Sequence, residues 1–585
     1  MDEEIEKRRE NILKNVKKTF LSWVTDNYDK VFLVVLVLAF IIRLIIFFKT
    51  SNQPLWWDEA DYLSAGKRLG LGLDIKDIWY YRRGFLFPLI SALFFRINFG
   101  EIGIRFLNVL FSTGIIVISY FLISKMFSKK LALLTSIALS LSWVILFFTG
   151  RILTDIPAAF FLLLALLLFW KGYVLKEGNK FLYFFGLVFA LAVLTRMQSL
   201  MLAPPFLIYI LMKEKLKIFK NKKLWITLGI FLLALIPHFI LYSFHYGNPF
   251  ADITHYYLKI GSETAVAQTS SFSEMFNYFK DIPYIISGVA DSNPSFINNF
   301  LFNPIFLMLI LGIIYFLGDL FIGLDKLSKN SILQNKFFII LWIISLFFIM
   351  GFIAAQAGAP YVEQRYMTAG LPFLFLIIVS PLLLVEKLIQ KYFKLNKVIS
   401  FLAITFVLIL LLISNITLTN SLIESKKTSY SEIKYVGELL KENSNKEDII
   451  MSTSLPQITY YSERSTYPYD IKAYLLRQGE KNVTYSEGEE GFKEFLLDKK
   501  PKFLMASFIF EDYPEWILFK GQQNGLNFIS MPFFNSSIVY NAETNQIVSI
   551  DLKGEVKKED MILHLFFPKS VNDMNSIFVY EVEYT

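Results

Sequence analysis

The sequence contains no cysteine among its 585 residues and only four histidines. The absence of cysteine excludes disulfides, thiol catalysis and cysteine-bound metal sites. The histidines do not form a metal-binding spacing. The chain also has no P-loop, no G-x-G-x-x-G, no H-E-x-x-H and no D-x-D triplet, so a nucleotide-phosphate loop or a zinc-protease site is not indicated.

Charged residues are also scarce. They make up 18% of the chain, against about 25% in a typical soluble domain. Hydrophobic residues reach 55%, aromatic residues 17%, and the mean hydropathy is +0.48. This composition predicts a polytopic α-helical membrane protein. The formal net charge of +8 is modest, and we attribute it to loop topology rather than to binding of nucleic acid.

Eleven apolar runs are long enough, or nearly long enough, to cross a bilayer as helices. The two runs near 181–212 are short, and Ala-Pro-Pro at 203–205 interrupts them. The runs lie at 31–48, 101–124, 131–148, 153–170, 181–197, 199–212, 224–243, 299–320, 334–354, 366–386 and 398–418.

The loops between these runs alternate in charge. Lysine-rich loops such as "KEKLKIFKNKK" at 213–223 alternate with short loops that carry one arginine each, namely Arg151, Arg196 and Arg365. By the positive-inside rule, this pattern predicts a cytoplasmic N-terminus and an extracytoplasmic C-terminus in the plasma membrane.

Three parts of the chain follow from this topology. Residues 1–30 form a cytoplasmic amphipathic N-terminus, and residues 31–420 form a membrane domain with long outer loops at 49–100 and 244–298. Residues 421–585 carry more charge and shorter apolar runs. We therefore predict a small extracytoplasmic α/β domain there.

Carboxylates cluster on the predicted outer side. Asp58, Glu59 and Tyr62 lie in "WWDEADY", and Asp155 lies in "TDIP" at the start of the fourth run. Carboxylates beside a bilayer are costly and usually have a function. The structural alternatives are an aromatic interfacial belt followed by a capped helix for the first motif, and a helix N-cap with Pro157 just inside for the second.

Basic and aromatic residues occur on the same side. A guanidinium suits phosphate by bidentate geometry, although anchoring to lipid headgroups is an alternative for each arginine. The tyrosines fit an aromatic belt equally well, and His255 fits a simple hydrogen-bonding role. The candidates for binding a lipid phosphate or substrate are Arg82, Arg83, Arg196, Arg365, Tyr62, Tyr81, Tyr361, His255 and Lys259.

An ordered series of motifs resembles the GT-C superfamily of polytopic glycosyltransferases, and most closely the protein O-mannosyltransferase and lipid A aminoarabinose transferase groups. The series covers about residues 30–390. Gly84-Phe85 replaces the family's Pro-Pro after the basic residue, which makes the placement of Arg83 less secure. The motifs are "DEADY" (58–62), "YYRRGFLFPL" (80–89), "GIRF" (103–106), "TDIP" (154–157), "AVLTR" (192–196) and "EQRYMTAGLPFL" (363–374).

The resemblance implies an inverting transfer of a sugar from a polyprenyl- or dolichyl-phosphate donor to a glycan, lipid or protein acceptor. It implies Asp58 as general base, with Glu59 and Asp155 assisting. Arginines would hold the leaving phosphate, so no metal or other cofactor is required and none is indicated. The remaining alternatives are a transporter or flippase of lipid-linked glycans and an oligosaccharyltransferase-like enzyme.

Overall fold

The structure is a computed structural model, and it describes most of the chain beyond residue 26. The described residues are 27–74, 84–251, 254, 277–289, 303–327, 329–357, 363–477, 480, 482–508, 513–523, 526–541, 544, 547–569 and 576–585.

The regular secondary structure in the described part of the membrane domain consists of helices. A backbone in hydrocarbon must satisfy its hydrogen bonds internally, and a helix does so. The helices are α1 (Tyr28–Thr50), α2 (Trp57–Leu71), α3 (Leu86–Arg96), α4 (Gly100–Met126), α5 (Lys129–Leu141), α6 (Trp143–Thr149), α7 (Asp155–Phe169), α8 (Asn179–Thr195), α9 (Ala203–Glu214), α10 (Lys222–Tyr246), α11 (Asn277–Ser287), α12 (Pro304–Ile322), α13 (Ser331–Ala357), α14 (Leu371–Val379), α15 (Leu382–Tyr392), α16 (Lys397–Leu411) and α17 (Ile413–Lys426). Short 3₁₀ turns at Met197–Leu202, Lys215–Lys220, Leu324–Lys326 and Gln364–Met367, and a π turn at Trp170–Val174, join or extend them.

Eight helical segments in the described residues are long and apolar enough to cross a membrane, or nine if one bent pair counts as a span. The protein is therefore an integral membrane protein with a polytopic helical fold, as its composition predicts. The runs predicted at 181–197 and 199–212 form the shorter helices α8 and α9. The count of eleven spans and the sidedness of the termini remain predictions.

The run predicted as one span at 131–148 is broken. Ser142 is extended, with φ −63° and ψ 120°, and α5 and α6 meet at 53°. The side chain of Asn415 accepts a hydrogen bond from the backbone N–H of Trp143 at 3.1 Å, which satisfies a donor that the break releases. The bend is therefore held by a contact from α17, far along the chain.

The C-terminal part contains two sheets and four helices. Strands β1, β2 and β3 pair in parallel, whereas β8, β9 and β10 are antiparallel, and the order of this six-stranded sheet is β2-β1-β3-β10-β9-β8. Strands β4 to β7 form a second, antiparallel sheet in sequence order. The elements are α18 (Ser431–Glu442), β1 (Ile449–Ser452), α19 (Leu455–Ser462), β2 (Ser465–Tyr467), α20 (Ile471–Arg477), α21 (Gly488–Lys499), β3 (Phe503–Ser507), β4 (Phe519–Gln523), β5 (Leu526–Met531), β6 (Ser536–Asn541), β7 (Ile547–Asp551), β8 (Glu555–Lys557), β9 (Met561–Phe567) and β10 (Ile577–Tyr584).

Helix α19 of this C-terminal part packs on α2 of the membrane domain. The side-chain amide of Gln457 donates to the carbonyl of Leu55 at 2.8 Å, and the hydroxyl of Tyr461 accepts from the N–H of Leu55 at 2.8 Å. The ammonium of Lys67 pairs with Glu463 at 2.8 Å. Both backbone groups of Leu55, two residues before α2, are thus held by the C-terminal part.

Candidate active site

Helix α2 begins at Trp57, the second residue of the tryptophan pair, and presents Asp58 in its first turn. Trp56 is extended at the N-cap position, and Glu59 accepts a hydrogen bond from its backbone N–H at 2.7 Å. A carboxylate in the first turn is stabilised by the helix dipole. The Asp58 side chain is 26% exposed, so it is accessible to a substrate.

Arg365 joins two carboxylates that come from distant parts of the sequence. It lies in the 3₁₀ turn Gln364–Met367. Its Nη2 donates to Asp58 at 3.0 Å, and its Nε lies 3.9 Å from Asp155. Asp58, Asp155 and Arg365 therefore meet at one end of the helical bundle, as the sequence analysis expects.

A second guanidinium contacts the same carboxylate. Arg196, at the end of α8, forms an ion pair with Oδ1 of Asp155. The ring of Tyr366 lies 4.4 Å from the guanidinium of Arg196 and 5.4 Å from that of Arg365. Burial alone would lower the pKa of Arg365, but the carboxylates around it, Asp155 first, raise that pKa well above its ordinary value. Arg365 thus stays charged at any working pH.

Two buried polar atoms of this cluster have no hydrogen-bond partner among the described residues: Oδ2 of Asp155 and Nε of Arg365. Such atoms are rare in folded proteins and call for an explanation. Both residues, together with Arg196, Gln198 and Ser199, line a narrow cavity of about 40 Å³. Nε of Arg365 nevertheless lies 3.1 Å from Oε2 of Glu363 and 3.9 Å from Oδ2 of Asp155, so the two atoms take part in ion pairs without forming hydrogen bonds, and both can accept a better-aligned partner.

Glu59 has a different environment from Asp58 although the two are adjacent. It is fully buried and accepts hydrogen bonds from the N–H of Ile152 at 2.7 Å and from Nη1 of Arg151 at 3.3 Å. The guanidinium of Arg151 in turn covers the ring of Trp56 at 3.7 Å. Burial lowers the pKa of Arg151 to about 10, and Glu59 opposes this shift. The contacts indicate a carboxylate that holds two loops together.

Tyr62 also joins the two acidic segments. Its hydroxyl lies 3.0 Å from Oγ1 of Thr154, the residue that precedes α7, and its ring packs edge-on against Phe87. Direct contact between the two segments therefore fixes the position of Asp58 relative to Asp155.

Residues 82–241 match the family model described as dolichyl-phosphate-mannose-protein mannosyltransferase. A search of curated protein sequences gives no significant match.

Solved structures give stronger matches over most of the chain. ArnT from Cupriavidus metallidurans, in a crystal structure bound to undecaprenyl phosphate, is 12% identical with a TM-score of 0.56, and the match covers 81% of this chain and 93% of that one. AglB, the archaeal oligosaccharyltransferase from Archaeoglobus fulgidus, in complex with an inhibitory peptide and a dolichol-phosphate, is 15% identical with a TM-score of 0.52, and the match covers 82% and 70% of the two chains. This chain has the GT-C fold.

The GT-C resemblance predicted from the motif series is thus confirmed at the level of the fold. Six of the predicted binding residues lie outside the described residues, so their contacts are not part of this account. They are Tyr81, Arg82, Arg83, Tyr361, His255 and Lys259. Among the residues that the structure does describe, no group of three His, Asp or Glu side chains is arranged to hold a metal ion.

The motif series includes Arg105 in "GIRF", but sequence reasoning assigned no role to Arg105 or Asn108, which support this part of the GT-C fold. Arg105, in α4, donates to the carbonyls of Gly150 at 3.0 Å and Gln53 at 2.9 Å. Asn108, one helical turn further on, donates to the carbonyl of Arg151 at 2.6 Å. An arginine and an asparagine inside a predicted span are unusual enough to suggest a function. That signal was available in the sequence, although the identity of the partners was not.

Proposed function

We propose that this protein is an inverting glycosyltransferase. It moves a sugar from a polyprenyl- or dolichyl-phosphate donor to an acceptor at the outer face of the membrane. The observation that carries the proposal is the bridge that Arg365 forms between Asp58 and Asp155, with Arg196 on the far side. The family match, the fold and the undecaprenyl phosphate bound to ArnT support the choice of donor.

Asp58 is the proposed general base because it is the more exposed of the two carboxylates that Arg365 bridges, at 26% against 2% for Asp155. It accepts the proton of the acceptor hydroxyl while that oxygen attacks the anomeric carbon of the donor sugar. The bond from the anomeric carbon to the phosphate oxygen breaks, and the lipid phosphate leaves with the electron pair. Attack opposite the leaving group inverts the configuration at the anomeric carbon.

Arg365 and Arg196 are proposed to hold the lipid phosphate. A guanidinium matches phosphate oxygens with parallel donors and stabilises the charge that grows as the phosphate leaves. Nε of Arg365 forms no hydrogen bond among the described residues, so it can donate to a phosphate oxygen in competition with its ion pair to Glu363 at 3.1 Å. Asp155, ion-paired to both arginines, orients them for this role.

The decisive experiment replaces Asp58 with asparagine. Mass spectrometry of lipid-linked sugars in cells with and without the gene first identifies the donor that accumulates. Purified Asp58→Asn protein should then transfer that sugar about 10² to 10⁴ times more slowly than wild type, the usual contribution of a general base. Binding of polyprenyl phosphate should persist, since the arginines are unchanged.

The matched control is Asp74→Asn, an exposed carboxylate just beyond the end of the same helix, which should transfer at the wild-type rate. Wild-type transfer by Asp58→Asn would remove this residue from the mechanism. Wild-type protein that moves labelled lipid across liposomes but never transfers sugar would instead favour a flippase.

A further inference from the structure

A second pocket lies beside α2, at the junction of the membrane domain and the C-terminal part. The linker 426–433 forms one side, Trp56 forms another, and Ile577 of β10 closes it. Its volume is about 450 Å³, within the range of about 300–1,000 Å³ typical of ligand sites. None of its lining residues lines the cavity between Asp155, Arg196 and Arg365.

The lining of this linker pocket combines aromatic faces with hydroxyl and charged groups. Trp56 and Tyr430 supply rings, Thr428 and Ser429 supply hydroxyls, and Glu432 supplies a carboxylate. A sugar ring presents apolar C–H faces and a rim of hydroxyls, so it is recognised by aromatic surfaces together with groups that both donate and accept hydrogen bonds. The chemistry of this lining fits a carbohydrate.

Tyr430 is held in an unfavourable backbone conformation. Its φ is +66°, a region that costs a residue with a Cβ about 1 kcal/mol or more and that glycine or asparagine adopts more easily. Its ring is nevertheless 40% exposed, so the strain is not offset by deep burial of the side chain. Strained residues of this kind cluster at ligand sites.

Neighbouring contacts fix the shape of the pocket. The hydroxyl of Ser576 donates to Glu432 at 3.0 Å, which joins the start of α18 to the segment before β10. Two successive turns, from Ser429 N–H to the carbonyl of Lys426 at 3.2 Å and from Ser431 N–H to that of Thr428 at 3.0 Å, order the linker. The aromatic and polar groups are therefore placed before a ligand arrives.

We infer that the linker pocket binds the acceptor substrate of the proposed transfer, and that this acceptor is a glycan. The inference rests on the proposed function and specifies its acceptor. Trp56, which lines the pocket, immediately precedes the helix whose first turn carries Asp58, so the pocket adjoins the segment that carries the proposed base.

The test is saturation-transfer NMR on the full-length protein in detergent. The probes are a panel of free di- and trisaccharides of neutral hexoses and, separately, a short threonine-rich peptide. At least one saccharide should bind the wild type. Tyr430→Ala should weaken that binding about 5- to 10-fold, the range expected for loss of one aromatic face, and Glu432→Gln should weaken it to a smaller extent.

The matched control is Tyr435→Ala. Tyr435 lies on α18, the helix that carries Glu432, and is 55% exposed, but its ring contacts Phe567 and does not line the pocket. It should bind saccharides as the wild type does. Binding of polyprenyl phosphate should be unchanged in all three variants, which shows that they are folded.

Three results would overturn the inference: no saccharide binds, Tyr430→Ala binds saccharides as tightly as the wild type, or the peptide binds and Tyr430→Ala abolishes its binding. Saccharide binding that depends on Tyr430, in a protein whose Asp58→Asn variant transfers normally, would support the pocket and refute only the catalytic role of Asp58.

Discussion

Replacement of Glu59 by glutamine tests whether the second carboxylate of the pair is structural or chemical. Glu59 is fully buried and accepts from two backbone N–H groups and from Arg151. Glutamine has the same size and keeps one oxygen acceptor, but it carries no charge. The variant therefore removes the charge while it preserves the shape of the site.

The expected loss of stability in Glu59→Gln follows from these three contacts. Each hydrogen bond to a charged group is worth about 1.5–3 kcal/mol, and complete removal of one partner of a buried ion pair costs about 3–5 kcal/mol. Glutamine retains part of the hydrogen bonding, so we expect Glu59→Gln to destabilise the protein by about 2–3 kcal/mol. The Arg151 guanidinium keeps its contact with the Trp56 ring in the variant.

The assay is thermal unfolding in detergent, followed as the fraction of protein that remains monodisperse, together with sugar transfer. The matched control is Glu487→Gln, since Glu487 forms an exposed pair with Lys472 at 3.1 Å and should lose less than about 1 kcal/mol. A double-mutant cycle with Arg151→Gln should show coupling between the two residues. Asp58→Asn, in contrast, should unfold near the wild-type temperature.

The structural role of Glu59 would be refuted by the opposite pattern of stability and sugar transfer. If Glu59→Gln unfolds at the wild-type temperature and loses transfer as completely as Asp58→Asn, then Glu59 acts in the chemistry. The catalytic role that the sequence motif suggests for it would then stand.

Two further predictions concern the phosphate site and the topology. Arg365→Lys keeps the charge but loses the paired donors, so polyprenyl phosphate should bind about 10-fold more weakly, measured by titration calorimetry, and unchanged affinity would exclude Arg365 as a phosphate ligand. Because the chain has no cysteine, Lys446→Cys and Lys217→Cys can each be labelled with an impermeant thiol reagent in sealed cells. Cysteine at position 446 should react and cysteine at position 217 should not. Equal labelling of both positions would refute the proposed orientation.

The sequence was sufficient to predict the class of fold and the groups that would meet. Composition and apolar runs predict a helical membrane protein, and alternation in "FVYEVEYT" predicts a strand that the structure contains as β10. Placing the carboxylates and arginines on the same side of the membrane predicts that they gather. Arg365, Asp58 and Asp155 do so.

The different environments of Asp58 and Glu59 could not be predicted from the sequence. Neighbouring residues on a helix point about 100° apart, so two adjacent carboxylates meet different surroundings. Here Asp58 contacts Arg365 and Glu59 contacts Arg151, and which carboxylate takes which place depends on the rotation of α2 about its axis. Contacts with Arg151 and with Gln457, far along the chain, fix that rotation.

The break at Ser142 also depends on a contact with a residue far along the chain. The run 131–148 contains serine and threonine but no charged residue, proline or glycine. The bend depends on Asn415, which is 272 positions away from the N–H that it satisfies. The apolar pattern of the run indicates that it can form a helix. It does not show the tertiary contact that interrupts that helix.

The docking of α19 on the start of α2 affects the order in which this protein is completed. Leu55 finds its partners Gln457 and Tyr461 only 402 and 406 positions later. The helix that carries Asp58 is made early in synthesis, yet these two anchors do not exist until residue 461 has been made. A growing chain therefore holds Asp58 on a helix whose start is fully anchored only as the last fifth of the chain is made.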